Sequence, residues 1–146
     1  LEKGEVSELD VKVIKELIEL EKEFPELKDV EFKKSLEVGP LLVIMFSEHS
    51  LTKLSSVKRA IAKKLSNVFK KKIRLIESTK DIRRVAEELL APAQVLGVNT
   101  IWLPDGTYEK KVRVERTNRR RLPADPRTLE EILRTISNEP IRIVFE

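Results

Sequence analysis

The chain has 146 residues, 40% of them hydrophobic, which suits one domain or two small ones with true cores and is too apolar for a disordered segment. It has no cysteine, which excludes disulfides, thiolate metal sites and cysteine nucleophiles, and no unbroken apolar run of about eighteen residues, which excludes a membrane-spanning helix. The net charge of +4 conceals an asymmetry: residues 1–40 hold twelve acids and seven bases, so the remainder carries +9. Leu1-Glu2-Lys3-Gly4-Glu5 has no apolar core of a signal peptide, and a start without Met is what an excised fragment would have. A cytoplasmic location is the expectation.

Ser7 and Asp10 have the spacing of a capping box, and Leu9, Val13, Leu17, Leu20 and Phe24 recur at helical spacing behind them. They predict an amphipathic helix over 8–23, ended by Pro25. Val30 to Val38 reads as a half-buried strand and Gly39-Pro40 as a turn. The apolar run Leu41 to Phe46 suits a central strand covered on both faces. Leu51 and Leu54 suggest a short helix; Val57, Ile61, Leu65 and Val68, with Phe69, form the stripe of a second, before a strand at Lys72 to Ile76.

Ser78 and Asp81 resemble another capped start, followed by the helical set Ile82, Val85, Leu89 and Leu90, which stops at Ala91-Pro92. Val95 to Leu103 and Tyr108 to Val114 flank Pro104-Asp105-Gly106-Thr107, a strong hairpin signal. A basic loop from Arg116 to Leu122 leads to a helix capped by Asp125, with Pro126 first and Leu129, Ile132, Leu133 and Ile136 on its apolar face. Ile141 to Phe145 is the closing strand. The second half repeats the element order of the first, with a loop in place of one short helix. The prediction is an α+β protein of two domains, 1–78 and 79–146, each a three-stranded sheet with helices on one face.

His49 to Ile76 contains no Asp or Glu, and its bases include Lys53, Lys58, Arg59, Lys63, Lys64, Lys70, Lys71, Lys72 and Arg74. Lys58, Arg59, Lys63 and Lys64 fall mainly off the apolar stripe, so they face solvent or a polyanionic ligand. Arg116, Arg119, Arg120 and Arg121 form a second basic run, whose forked side chains suit phosphates. Either set could equally be a solvated surface. Trp102 and Tyr108 flank the hairpin turn, where cross-strand or core packing is the preferred reading over stacking on bases. Phe32, Phe46, Phe69 and Phe145 are expected in the core.

Catalysis finds no support. His49 is the only histidine, without a Ser-His-Asp or Glu-x-x-His pattern, and no Walker or dinucleotide motif occurs. Neither a cofactor nor a metal is expected.

The order αββααβ is that of the type II KH fold. Through Gly4-Glu5-Val6-Ser7-Glu8-Leu9-Asp10, Lys72-Ile73-Arg74-Leu75-Ile76-Glu77, Leu89-Leu90-Ala91-Pro92-Ala93-Gln94-Val95-Leu96-Gly97, Arg121-Leu122-Pro123 and Ile141-Arg142-Ile143-Val144-Phe145-Glu146, the chain resembles the archaeal NusA-related proteins with two adjacent KH domains. In that resemblance Ala91-Pro92-Ala93 is the hinge between domains, and some members carry a cysteine-based metal segment upstream that this chain lacks. It implies a non-catalytic protein that binds single-stranded RNA in transcription, as an elongation or termination factor does. The alternative it leaves open is a degenerate KH pair docking on RNA polymerase or a ribosomal assembly.

KH domains clamp RNA through a G-x-x-G loop between two helices. The only glycines here are Gly4, Gly39, Gly97 and Gly106, none of them between two helices. The resemblance places the loop at Ser55-Ser56-Val57-Lys58-Arg59 and, in the second domain, at Arg116 to Arg121. The expected RNA-binding set is therefore Lys53, Ser55, Ser56, Lys58, Arg59, Lys63, Lys64, Arg116, Arg119, Arg120 and Arg121.

Overall fold

The first helix begins where two side chains cap each other. Ser7 Oγ accepts from the Asp10 N–H at 3.0 Å, and Asp10 Oδ2 accepts from the Ser7 N–H at 3.2 Å, closing the predicted box at the start of α1 (Glu8–Leu20). The computed structural model describes residues 7–146, so Gly4-Glu5-Val6 of the first motif lie outside it. Val13 and Leu17 face inward. α1 ends three residues earlier than predicted, in a turn where the Phe24 N–H donates to Leu20 O at 2.7 Å, and a 3₁₀ turn follows at Pro25–Asp29.

β1 (Phe32–Val38) and β2 (Leu41–Phe46) form an antiparallel pair around Gly39, whose φ of 55° is one that glycine adopts without steric cost. β1 starts two residues later than predicted, and its register shifts between Phe32 and Lys34. All six residues of β2 are buried, so both faces of the strand are covered. β2 pairs in parallel with β3 (Lys72–Glu77), and the connection between them is α2 (Ser50–Leu54) followed by α3 (Lys58–Phe69). Leu42, Ile44, Phe46, Ile73 and Leu75 share one core with Val13, Leu17, Leu51, Leu54, Ile61 and Leu65. The alternate spacing of the strand residues places them on one sheet face. Val68, predicted on the stripe of α3, is 52% exposed; Phe69, a larger apolar surface, packs on the core at that last turn instead.

The chain divides after Ser78 into two compact units. In the second, α4 (Ile82–Leu90) is capped by Asp81 alone, whose Oδ1 accepts from Arg83 N at 3.1 Å and Arg84 N at 3.4 Å; Ser78, the expected partner, lies too early. Ala91-Pro92, a cis peptide, lies inside this unit between α4 and β4, not between the units as the hinge reading had it. β4 (Val95–Trp102) and β5 (Tyr108–Val114) are antiparallel, and β5 pairs in parallel with β6 (Ile141–Phe145). The crossover contains α5 (Pro126–Ser137), capped by Asp125 through a 3.0 Å bond from Arg127 N.

Arg116–Arg121, predicted as a loop, is a 3₁₀ helix. It contains no apolar residue, so no periodicity announced it. Its anchor is polar: buried Asn118 donates through its backbone to Glu115 O at 2.9 Å and through Nδ2 to Glu115 Oε2 at 3.3 Å. Each unit is thus an α+β assembly with strand order β1-β2-β3 or β4-β5-β6. Among the described residues, no helix is long and apolar enough to cross a membrane. Phe46 is fully buried, whereas Phe32 and Phe69 are half-buried beside the first core and Phe145 is half-buried at the end of β6.

Asp10 does more than cap. Its Oδ1 also accepts from the Ser35 N–H at 2.9 Å and from the Ser35 hydroxyl, tying α1 to β1 across a buried contact. Burial pushes the carboxyl up, but the bonds from the Ser35 hydroxyl and from Ser7 and the Ser35 backbone together hold it below the ordinary carboxylate range. A depressed folded pKa contributes stability above the unfolded value, lost as pH falls through the folded one. Asp10→Ala is expected to cost about 1–3 kcal/mol at pH 7, since it leaves a buried N–H unpaired. Urea unfolding of both proteins from pH 7 to pH 2.5 should show the gap shrinking below about pH 4; a gap independent of pH would mean the carboxylate charge contributes nothing.

Candidate functional site

Burial of Ile61 and Leu65 sets the rotation of α3 about its axis. Residues four or so apart share a helix face, so Arg59, Lys63, Asn67 and Lys70 follow one another along the exposed side. Among the described residues, the side chains of Lys58, Arg59, Lys63 and Lys70 make no hydrogen bond or ion pair. Other bases of the acid-free stretch are engaged. Lys64 Nζ lies 3.3 Å from Glu23 Oε1, Lys53 Nζ donates to Asp29 O at 2.9 Å, and Lys71 Nζ donates to Gly39 O at 2.7 Å and lies 3.3 Å from Glu37 Oε2. Arg74 is half-buried on β3, where burial lowers its pKa.

The α2–α3 turn is Ser55, Ser56 and Val57, with both serines exposed. Ser55 N donates to Thr52 O at 3.4 Å and Val57 N to Leu54 O at 2.9 Å. Neither serine has positive φ; that conformation falls to His49, Lys70, Asn138, Gly39 and Gly106. The turn therefore does not need glycine for its backbone path. Val57 occupies the cap position of α3 and supplies no side-chain acceptor, and no acid lies in the first turn. The leading N–H groups of α3 are left for an external acceptor. The start of α2 is anchored by Glu77, a buried carboxylate at the end of β3 whose Oε2 accepts from Leu51 N at 3.0 Å, and by the 2.9 Å Ser47–Ser50 hydroxyl pair. Nothing local announced this role for Glu77, since its partner lies twenty-six residues away.

The second basic set is built differently. Arg116 N donates to Glu146 O at 2.7 Å, which ties the 3₁₀ helix to the end of β6. The Arg119 guanidinium stands 4.9 Å from the Phe145 ring centre, and Arg121 donates to Asn118 Oδ1 at 3.5 Å. Arg116 and Arg120 are exposed, with no side-chain partner among the described residues. Contrary to the expectation, the run is not the turn between two helices; that place is taken by Leu122-Pro123-Ala124-Asp125, and the Asp125 carboxylate already covers the start of α5. The structure thus groups Ser55, Ser56, Lys58, Arg59 and Lys63 in the first unit, turns Lys53 and Lys64 to protein partners, and places Arg116, Arg119, Arg120 and Arg121 in the second unit.

At the β4–β5 hairpin, Leu103 N donates to Thr107 O at 2.8 Å and Gly106 takes a φ of 90°. Asp105 Oδ1 accepts from the Thr107 hydroxyl at 2.6 Å and its N–H at 2.9 Å, and these bonds lower the carboxyl's pKa. Trp102 pairs across the strands with Tyr108, ring centres 5.3 Å apart and planes at 50°. The cross-strand reading holds and the core reading does not, because Trp102 is 70% exposed. Gly97 lies under Arg113, whose guanidinium comes within 2.6 Å of where a Cβ would stand. Among the described residues, no three His, Asp or Glu side chains are grouped to hold a metal.

No family model matches the sequence, and no curated protein matches it. Among solved structures, the fold is similar to one described as "Crystal structure of APE1850", at 14% identity and a TM-score of 0.58, covering 88% of this chain and 96% of that one. At that identity the likeness is one of fold.

Proposed function

We propose that the chain is a non-catalytic, RNA-binding protein of two tandem type II KH-like units, similar to the archaeal NusA-related proteins and acting in transcription. The repeated order of helix, two strands, helical crossover and parallel third strand supports the KH-like reading. The observation that carries RNA binding is the row Arg59, Lys63 and Lys70, exposed and without partners among the described residues, on the helix whose start is uncapped. A phosphate at that start meets free N–H groups and the positive end of the helix, worth about 0.3–1 kcal/mol for an exposed charge. Lys58 and Arg59 hold it by their side chains, because the Cβ atoms of Ser55 and Ser56 keep the backbone from the approach a glycine loop permits. Side-chain contacts to phosphate carry no base information, so binding on this surface is sequence-tolerant.

With three phosphates along α3, the log–log salt slope for single-stranded RNA should be about −2, at roughly 0.7 per phosphate. Reversing Lys58, Arg59 and Lys63 to Glu should remove most of the affinity and flatten the slope. Lys64→Glu should do much less, since Lys64 already faces Glu23. Fluorescence anisotropy at several salt concentrations measures all of this. No salt-sensitive RNA affinity, together with co-purification of RNA polymerase or ribosomal subunits, would favour a protein-docking module instead.

The turn itself gives a second test. Ser56→Gly is expected to lower stability by about 0.4–1 kcal/mol, because the folded turn gains nothing from glycine and the unfolded chain gains freedom. If close backbone approach is what the turn lacks, Ser56→Gly with Arg59→Gly should bind RNA more tightly than Arg59→Ala alone. Equal affinity in folded variants would rule out a latent clamp here.

A further inference from the structure

We infer that Trp102, in the second unit, is a stacking site for an unpaired nucleobase of single-stranded RNA. This rests on the RNA-binding reading above. An aromatic platform needs a ring that is held in place and has one open face. Trp102 lies on the cross-strand partner Tyr108, and the Tyr108 hydroxyl donates to Glu139 Oε1 at 3.0 Å, which fixes the supporting ring. The turn beyond is closed by the Leu103–Thr107 and Asp105–Thr107 bonds, so the platform is ordered before any ligand arrives.

The surroundings select the occupant. Exposed apolar surface at the tip comes from Trp102, Ile101 at 37%, Leu103 at 42% and Pro104. This is a small apolar patch at the tip of one hairpin, whereas a stable protein interface uses roughly 20–30 residues a side and one base needs one ring. Thr100, two residues before it on the same face of β4, is exposed and offers a hydroxyl to a base edge. Asp105, the acid of the turn, is turned onto Thr107, and Glu139 is occupied by the Tyr108 hydroxyl and by Lys110 Nζ at 3.3 Å. A single strand can present an unstacked base here; a duplex cannot.

Trp102 is the only tryptophan, so its fluorescence reports on this site alone. Titration of the full chain with oligouridine should quench that emission in step with binding measured by anisotropy of labelled RNA. Trp102→Ala should weaken binding about 5- to 150-fold, and Trp102→Phe should recover much of the loss. The salt slope should be the same in all three proteins, since no phosphate contact is removed. Circular dichroism should find all three equally folded, as the ring is exposed. If RNA binds with the expected salt dependence but emission does not change and Trp102→Ala binds normally, the stacking site is wrong and the phosphate surface stands. If no RNA binds at all, both readings fall. Emission that shifts with protein concentration but not with RNA would overturn the inference in favour of a protein contact.

Discussion

Parallel pairing of two strands close in sequence is the constraint from which each unit follows. β2 and β3 run side by side from Leu41 and Lys72 to Phe46 and Glu77, and no hairpin can join strands that point the same way. After Phe46 the chain has to return along the length of the sheet, and α2 and α3 are that return. Hydrogen bonds close its two ends, among them Leu51 N to the Glu77 carboxylate and Lys72 N to Pro40 O at 3.0 Å. The α2–α3 turn is thereby fixed beside the C-terminal ends of the strands, and burial of Ile61 and Leu65 turns Arg59 and Lys63 outward. β5 and β6 impose the same circuit on the second unit, closed by Arg116 N to Glu146 O and Lys110 N to Pro140 O.

One skeleton carries two different chemistries at equivalent points. The start of α3 has no acid and no side-chain cap, while the start of α5 is covered by Asp125, a negative group at the positive end of the helix. The crossover helix before α3 is apolar on its inner side, with Leu51 and Leu54 buried; the one before α5 is anchored by Asn118 and carries arginines, one of which lies over Phe145. An anion meets open donors in the first unit and an occupied helix end in the second. The phosphate role proposed for α3, and not for α5, rests on this contrast.

Much of the skeleton was legible because its signals are local. The unbroken run Leu41–Phe46, the alternation about Val112 and Val114, the Asp105-Gly106 turn and the Ser7–Asp10 and Asp125-Pro126 starts each lie within a few residues, and each became the element expected. Failures came where a distant or polar contact replaced the local pattern. Arg116–Arg121 folds on a buried asparagine instead of an apolar stripe, Val68 gives its place to Phe69, and Ala91-Pro92 turns the chain within a unit rather than between two.

For the candidate site, the sequence by itself determined that a long stretch is free of acids and that its bases fall off the apolar face of a helix, since both follow from residue order and the helical period. Only the tertiary structure decided which of those bases are available. Lys64 meets Glu23, Lys71 meets Glu37 and Lys53 meets the Asp29 carbonyl, while Arg59, Lys63 and Lys70 meet no protein partner among the described residues. Tertiary structure likewise decided that Trp102 stays open to solvent although it lies in a strand. The reason is the range of the interactions: caps and periodicity act over one turn of chain, whereas ion pairing and burial depend on groups that only folding brings within a few ångströms.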